Sequence, residues 1–154
     1  MSTPNVGDPA PAIVLEDQTG TIIDVVAAQT GRRVLVFFYP KANTPGCTTQ
    51  ACGLRDIADQ VGDTAIIGIS PDTPAKQASF DTKFSLGFTL LADVDHAVAE
   101  AFGVWVEKSM YGRKYMGVQR SAFLIDAAGN ISHAWPKITP KDTPVQLLRA
   151  LGDT

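Results

Sequence analysis

The chain has 154 residues, 45% of them hydrophobic and 19% charged, with a formal net charge of -3. That length and apolar content fit a single domain, residues 1–154, with a sizeable core. Acids and bases are interspersed, so there is neither a phosphate-tracking basic stripe nor a polybasic segment, and nucleic acid and membrane are both excluded as expected partners. The stretch from Met1 to Asp8 lacks a basic region followed by an apolar core, and no apolar run approaches about 18 residues. A cytoplasmic location is expected. Two cysteines in a chain of this length do not form a secreted disulfide framework, and a reducing compartment with a catalytic or sensing pair suits them better.

In chain order, residues 12–15 and 21–25 flank the turn sequence Asp17-Gln-Thr-Gly20 and read as an N-terminal hairpin. The apolar run 34–39 reads as a buried strand and is followed by a helix-compatible stretch, 48–61. Strand 64–69 precedes helix 74–84, and strand 89–91 precedes helix 95–102. This alternation predicts βαβ units and a central sheet covered on both faces. Residues 119–125 and 131–134, joined around 127–130, read as a hairpin, and 143–151 as a closing helix. Together these predict an α/β chain with a thioredoxin-like fold: a central mixed sheet flanked by helices, with an added N-terminal hairpin. Gly103-Val-Trp-Val and Gly31-Arg-Arg lack the spaced glycines and lysine of a nucleotide loop.

Both cysteines lie in Tyr39-Pro-Lys-Ala-Asn-Thr-Pro-Gly-Cys47-Thr-Thr-Gln-Ala-Cys52. Thr44 can cap a helix and Pro45 suits its first position, which places Cys47 in the first turn. A thiol there meets unpaired backbone N–H groups and the positive end of the helix dipole, and both favour the thiolate. On an unbroken helix the five-residue step to Cys52 separates the Cα atoms by about 8.6 Å. Disulfides tolerate up to about 7 Å, so pairing requires the helix to unwind. The alternative is a pair of small apolar core residues. A metal site is disfavoured because the histidines, His96 and His133, lie far off in sequence, and neither metal nor cofactor is expected.

The pattern Pro40-x-x-x-Thr44-x-x-Cys47, with Arg120 further on, resembles the peroxiredoxins. The longer string from Phe38 to Asp56 is similar to the bacterioferritin-comigratory, or peroxiredoxin Q, subgroup. So are Gly7-Asp-Pro-Ala-Pro11, Ile69-Ser-Pro-Asp72 and the stretch from Tyr111 to Asp126. The resemblance implies a thioredoxin-dependent peroxidase that acts on hydrogen peroxide and organic hydroperoxides in antioxidant defence. Cys47 would be the peroxidatic cysteine and Cys52 the resolving one, with an intramolecular disulfide recycled by thioredoxin or a similar dithiol reductant. Thr44 and Arg120 would hold the peroxide oxygens, and Pro40 would shield the sulfur. A resolving cysteine in the same chain removes the chemical need for a partner subunit, so a monomer is expected.

Each residue also has a structural reading. Thr44 serves as a cap, Pro40 ends a strand, and Arg120 opens an alternating segment as a solvated strand end. Arg55, on the cysteine helix, is set aside as an ordinary surface charge. Trp105 is read equally as a residue of the site's rim or as a core or surface aromatic. Gln50, Leu54 and Asn43 depart from the subgroup's usual Glu, Phe and Asp, so any arginine network at Gln50 is expected to be weaker or neutral. The segment after residue 132 fits the pattern less closely. Two other functions remain possible on this fold, general thiol–disulfide exchange, disfavoured by the missing Cys-x-x-Cys, and non-catalytic redox sensing.

Overall fold

The structure, a computed structural model, describes residues 3–25 and 31–152. Met1 and Ser2, part of the N-terminal stretch read above for a leader, and the ends of the 1–154 domain lie outside the described residues. The elements run β1 (Val14–Asp17), β2 (Ile22–Asp24), β3 (Val34–Phe38), α1 (Pro45–Asp56), a 3-10 turn (Ala58–Gln60), β4 (Ala65–Ser70), α2 (Pro74–Phe84) and β5 (Thr89–Ala92). They continue with α3 (Ala97–Ala101), β6 (Trp105–Met110), β7 (Arg113–Val118), β8 (Ser121–Ile125), β9 (Ile131–Trp135) and α4 (Asp142–Gly152).

Seven strands form one sheet in the order β2-β1-β5-β4-β3-β8-β9. β3, β4 and β5 are parallel, as their helical crossovers require, while β1 joins β5 and β8 joins β3 in antiparallel fashion. β3 is apolar throughout because both of its faces are covered. Leu35, Phe37 and Tyr39 pack into one core with Leu54 and Ala51 of α1, Phe80 of α2 and Leu147 of α4. Val34, Val36 and Phe38 point the other way, into a second core with Val98 and Phe102. Gly68 of β4 is needed where this packing is tightest. A Cβ there would lie 2.8 Å from Phe37 Cζ and 3.0 Å from Tyr39 Cε1.

The N-terminal hairpin, the βαβ alternation and the β8–β9 hairpin match the sequence expectation, and helix α2 has the expected bounds. Two differences affect the site. Helix α1 begins at Pro45, as the Thr44-Pro45 entry predicts, but ends at Asp56, short of the expected residue 61, where Ile57 leaves helical geometry (φ -103°, ψ 6°). The second is a separate two-stranded hairpin, β6–β7, which sequence patterning did not predict. Most of β7 is exposed, so it lacks the alternation that marks a half-buried strand. Its two-residue turn, Tyr111-Gly112, has positive φ at both positions (52° and 79°), the type I′ geometry usually signalled by Asn-Gly.

Candidate active site

Helix α1 starts where the chain turns away from the end of β3, and two devices hold that turn. Asn43 adopts φ 65°, a left-handed conformation that asparagine tolerates better than most residues. Asp72, buried after β4, accepts hydrogen bonds from the Ala42 N–H at 2.7 Å and the Ser70 hydroxyl at 2.7 Å. The Ile69-Ser-Pro-Asp72 stretch noted in the sequence therefore anchors the loop that carries Pro40 and Thr44.

Pro45 occupies the first turn of α1, as expected, and Thr44 is its N-cap residue. The side chain, however, makes no capping hydrogen bond. Its hydroxyl instead donates to the Lys41 carbonyl at 2.7 Å. With Pro45 lacking an N–H, the Gly46 and Cys47 amides are left as the uncapped donors of the first turn. Cys47 is 1% exposed, with its sulfur beside this helix end. Cys52 is half-buried against the same core, on the same unbroken helix, and both thiols are free.

Arg120 comes from the loop between β7 and β8. Its Nη2 donates to Cys47 Sγ at 3.5 Å and its Nη1 donates to Gln50 Oε1 at 2.7 Å. Gly46 permits this approach, because a Cβ on residue 46 would lie 3.1 Å from Nη2. Gln50 is fully buried, and its Nε2 donates to Thr143 Oγ1 at 2.9 Å. The Thr143 hydroxyl in turn donates to the Thr139 carbonyl at 2.9 Å. A neutral chain thus runs from the first turn of α4 through the middle of α1 to the guanidinium. The expectation of a weaker or neutral network is met in charge, yet every member is paired. Gln50 follows Cys47 by three residues, which puts it on the same helix face one turn on; that spacing was the available sequence signal.

Pro40 and Arg120 line an open groove together with Lys108, Trp135, Lys137 and Ile138. The Ile138 N–H donates to the Arg120 carbonyl at 3.1 Å and ties this wall to the site. The segment after residue 132, where the motif match thins, forms this wall. Trp105 takes the core option of those left open for it. It stacks on His96 with ring centroids 3.8 Å apart and packs against the second core, and it is not among the groove's lining residues. Arg55 donates to the Phe84 carbonyl at 2.6 Å and pairs with Asp56, a structural role. Lys108 and Thr143 carried no sequence signal. Among the described residues, no group of three or more His, Cys, Asp and Glu side chains could hold a metal ion, and no helix is long and apolar enough to cross a membrane.

Chemically, the arrangement offers a shielded sulfur at a helix N-terminus with an arginine on it, free backbone donors, and a hydroxyl whose proton is already committed. Comparisons with known proteins agree with that chemistry. Residues 6–134 match the AhpC/TSA family. Peroxiredoxin Bcp of Escherichia coli (strain K12) is 51% identical over 137 residues, which cover 88% of this chain and 87% of that protein. Peroxiredoxin Bcp of Bacillus subtilis (strain 168) is 40% identical over 153 residues, covering 98% and 97%. The Xanthomonas campestris bacterioferritin comigratory protein, studied for alkyl peroxide reduction, superposes with a TM-score of 0.87 at 30% identity, over 97% of this chain and 98% of that one. A cysteine-to-serine variant of Xylella fastidiosa PrxQ superposes with a TM-score of 0.91 at 28% identity, over 99% and 98%. The chain therefore belongs to the AhpC/TSA family and, within it, to the Bcp/PrxQ peroxiredoxins, thiol peroxidases of thioredoxin-like fold.

Proposed function

We propose that Cys47 is the peroxidatic cysteine and that Cys52 resolves it within the same chain. The observation that carries this reading is the Arg120 guanidinium, which bridges Cys47 Sγ and the buried Gln50 amide. The Cys47 thiolate attacks one peroxide oxygen, the O–O bond breaks, and sulfenic acid and an alkoxide or hydroxide form; the latter takes a proton to leave as alcohol or water. Negative charge moves from sulfur to the leaving oxygen, so fixed donors along that axis gain strength in the transition state. Arg120 and the uncapped Gly46 and Cys47 amides are those donors. Because the Thr44 proton goes to Lys41, its oxygen acts toward the peroxide as an acceptor and orients the substrate O–H. Pro40 closes the site from the strand side and limits water at the sulfur.

The Cys47 sulfenic acid then condenses with the Cys52 thiol, releasing water and forming a disulfide. In α1 the two residues stand about 8.6 Å apart by helix geometry, beyond disulfide reach, so the segment between them must unwind. A dithiol reductant, thioredoxin or a protein like it, restores the thiols. Organic hydroperoxides belong among the substrates alongside hydrogen peroxide, since a groove opens directly onto Arg120. The same reading takes residues 1–154 as one cytoplasmic, monomeric domain, since both cores pack on a single sheet and the resolving cysteine is internal.

The test is to mix prereduced protein with one equivalent of hydrogen peroxide, quench at millisecond intervals and map the cysteines by mass spectrometry. Cys47 sulfenate followed by a Cys47–Cys52 disulfide is expected. Cys47→Ser abolishes turnover, and Cys52→Ser reduces a single equivalent and then stalls with thioredoxin present. Full steady-state activity in Cys52→Ser would remove the resolving role, and thiols that persist for minutes would favour disulfide exchange or sensing instead.

A further inference from the structure

Hydrogen peroxide has four atoms, whereas the groove beside Arg120 has a volume of about 600 Å³. That is within the range of sites that hold drug-sized organic ligands, about 300–1,000 Å³. Its chemistry is two-sided. Pro40, Trp135 and Ile138 give it apolar surface, and Lys108, Arg120 and Lys137 give it positive charge. Asp142 is the acid among the lining residues. Neither lysine forms a salt bridge or side-chain hydrogen bond with another described residue.

Lys108 is held toward the groove by the hairpin that sequence patterning missed. It stands on β6, and its stem runs beside Gly117 of β7, where a Cβ would lie 3.3 Å from Lys108 Cδ and 3.6 Å from Cε. The bare backbone at Gly117 leaves a track for the methylenes while the ammonium reaches the groove. There, half-buried, it feels Arg120 as a like charge; burial first and this repulsion second lower its pKa, and the Cys47 sulfur opposes them. Arg120 already engages the Cys47 sulfur, so Lys108, with no carboxylate partner among the described residues, is the cation left for an anionic group of the substrate.

We propose that this groove is a subsite for organic hydroperoxides that carry a carboxylate, with Lys108 as its specificity-determining residue. The carboxylate sits at Lys108, the carbon skeleton lies on Trp135 and Ile138, and the hydroperoxide end reaches Arg120 and Cys47. Lys137, exposed on the rim, adds longer-range attraction. The chemical step is that of the peroxidase reading, on which this subsite rests: Cys47 becomes sulfenic acid and the carboxylated alcohol leaves.

The test compares cumene hydroperoxide with its para-carboxylate, two substrates of nearly the same shape, by stopped-flow fluorescence of prereduced protein. The readout is the ratio of their second-order rate constants for Cys47 oxidation. Both meet the same sulfur, so any effect of a substitution on thiolate reactivity cancels in the ratio. At low salt the carboxylate is expected to react about tenfold faster, and the advantage shrinks as ionic strength rises toward about 0.5 M. Lys108→Gln lowers the ratio to about threefold or less, Lys108→Arg keeps it, and Lys137→Gln, on the exposed rim, lowers it chiefly at low salt. A ratio near one in the native protein, or one that Lys108→Gln leaves unchanged, overturns the subsite while the peroxidase reading stands. Failure of that reading has its own signature: no peroxide, charged or neutral, oxidises Cys47, and the subsite falls with it.

Discussion

Removing the Gln50 amide should push the two chemical steps of the cycle in opposite directions. In the folded helix Gln50 accepts from Arg120 at 2.7 Å and donates to Thr143 at 2.9 Å, and it is fully buried between the two cysteines. A hydrogen bond to a charged partner contributes about 2 kcal/mol and a neutral one about 1 kcal/mol. Under the proposed mechanism both must break when residues 47–52 unwind to form the disulfide, so together they would oppose unwinding by about 3 kcal/mol. In Gln50→Ala that opposition is gone from the start. If unwinding is a rapid equilibrium before condensation, disulfide formation accelerates by up to about a hundredfold, at 1.4 kcal/mol per factor of ten.

The first step should slow, because Arg120 loses the acceptor that fixes its orientation against Cys47 Sγ. A guanidinium free to rotate is a weaker transition-state donor, and a loss of about tenfold in sulfenate formation is expected. Stopped-flow tryptophan fluorescence after a peroxide pulse separates the two phases, with quenched mass spectrometry to assign them. A faster second phase also leaves less time for a second peroxide to convert sulfenic to sulfinic acid, so over-oxidation at high peroxide should fall. A second phase that is unchanged or slower in Gln50→Ala would refute the view that Gln50 restrains the helix.

Arg120→Met removes the donor at Cys47 Sγ and orphans Gln50 Oε1, so peroxide reduction should drop by about a hundredfold to a thousandfold, measured as the rate of Cys47 oxidation by hydrogen peroxide. Asp93, buried before α3, accepts from the Val98 and Ala99 amides at 3.1 and 2.9 Å. Burial raises its pKa, the nearby Asp95 adds to the rise, and the two amides and His96 oppose it. The folded state therefore holds the Asp93 proton more tightly than the unfolded chain does. Its contribution to stability is fully present below the unfolded value near pH 4 and is lost as pH rises through the folded value. The stability of wild type relative to Asp93→Asn, from urea unfolding at a series of pH values, should fall over that interval; a difference that grows with pH contradicts the assignment. Gly68→Ala places a methyl 2.8 Å from Phe37 Cζ and 3.0 Å from Leu90 Cδ2, and thermal unfolding should report a loss of about 1–3 kcal/mol.

The sheet was legible in the sequence because its strands carry unambiguous patterns. The run 34–38 is apolar at every position and is buried at every position, and the helices are bounded by Pro45 and Pro74 at their starts. Cys47 was legible through the Thr-Pro-Gly entry alone, before any resemblance was considered. Arg120 by itself looks like a solvated strand end; the resemblance singled it out, and the folded chain brings it across some seventy residues to the sulfur. The β6–β7 hairpin was hidden because exposed strands carry no burial period and because Tyr111 fills a turn position where asparagine is the usual cue. Lys108 was hidden with it. Thr44 stands at the N-cap as read from the sequence, but its hydroxyl makes no capping bond, since nothing in the letters says whether a cap residue turns its proton toward the preceding loop.

On the proposed resolving role of Cys52, helix α1 has to satisfy two incompatible demands, and its contacts with α4 set the balance between them. Folded, it leaves the first-turn amides uncapped, buries Cys47 and aligns Arg120; unwound, it lets Cys52 reach the sulfenic acid. Beside the shared core of Ala51, Leu54 and Leu147, its hold on α4 comes through Gln50 on Thr143 and through Gly53, where a Cβ would lie 3.1 Å from Pro144 Cγ. Residues 50 and 53 are one helical turn apart on α1, and Thr143 and Pro144 adjoin in the first turn of α4. Unwinding between the cysteines breaks the first contact and removes the helical support beneath the second. The cost of entering the resolving state is therefore set at the base of α4 as much as at the sulfur. A glutamate in place of Gln50 would bind Arg120 more tightly, but it would also offset the positive charge that faces the thiolate. The neutral amide keeps the arginine oriented and leaves its charge for the reacting oxygen.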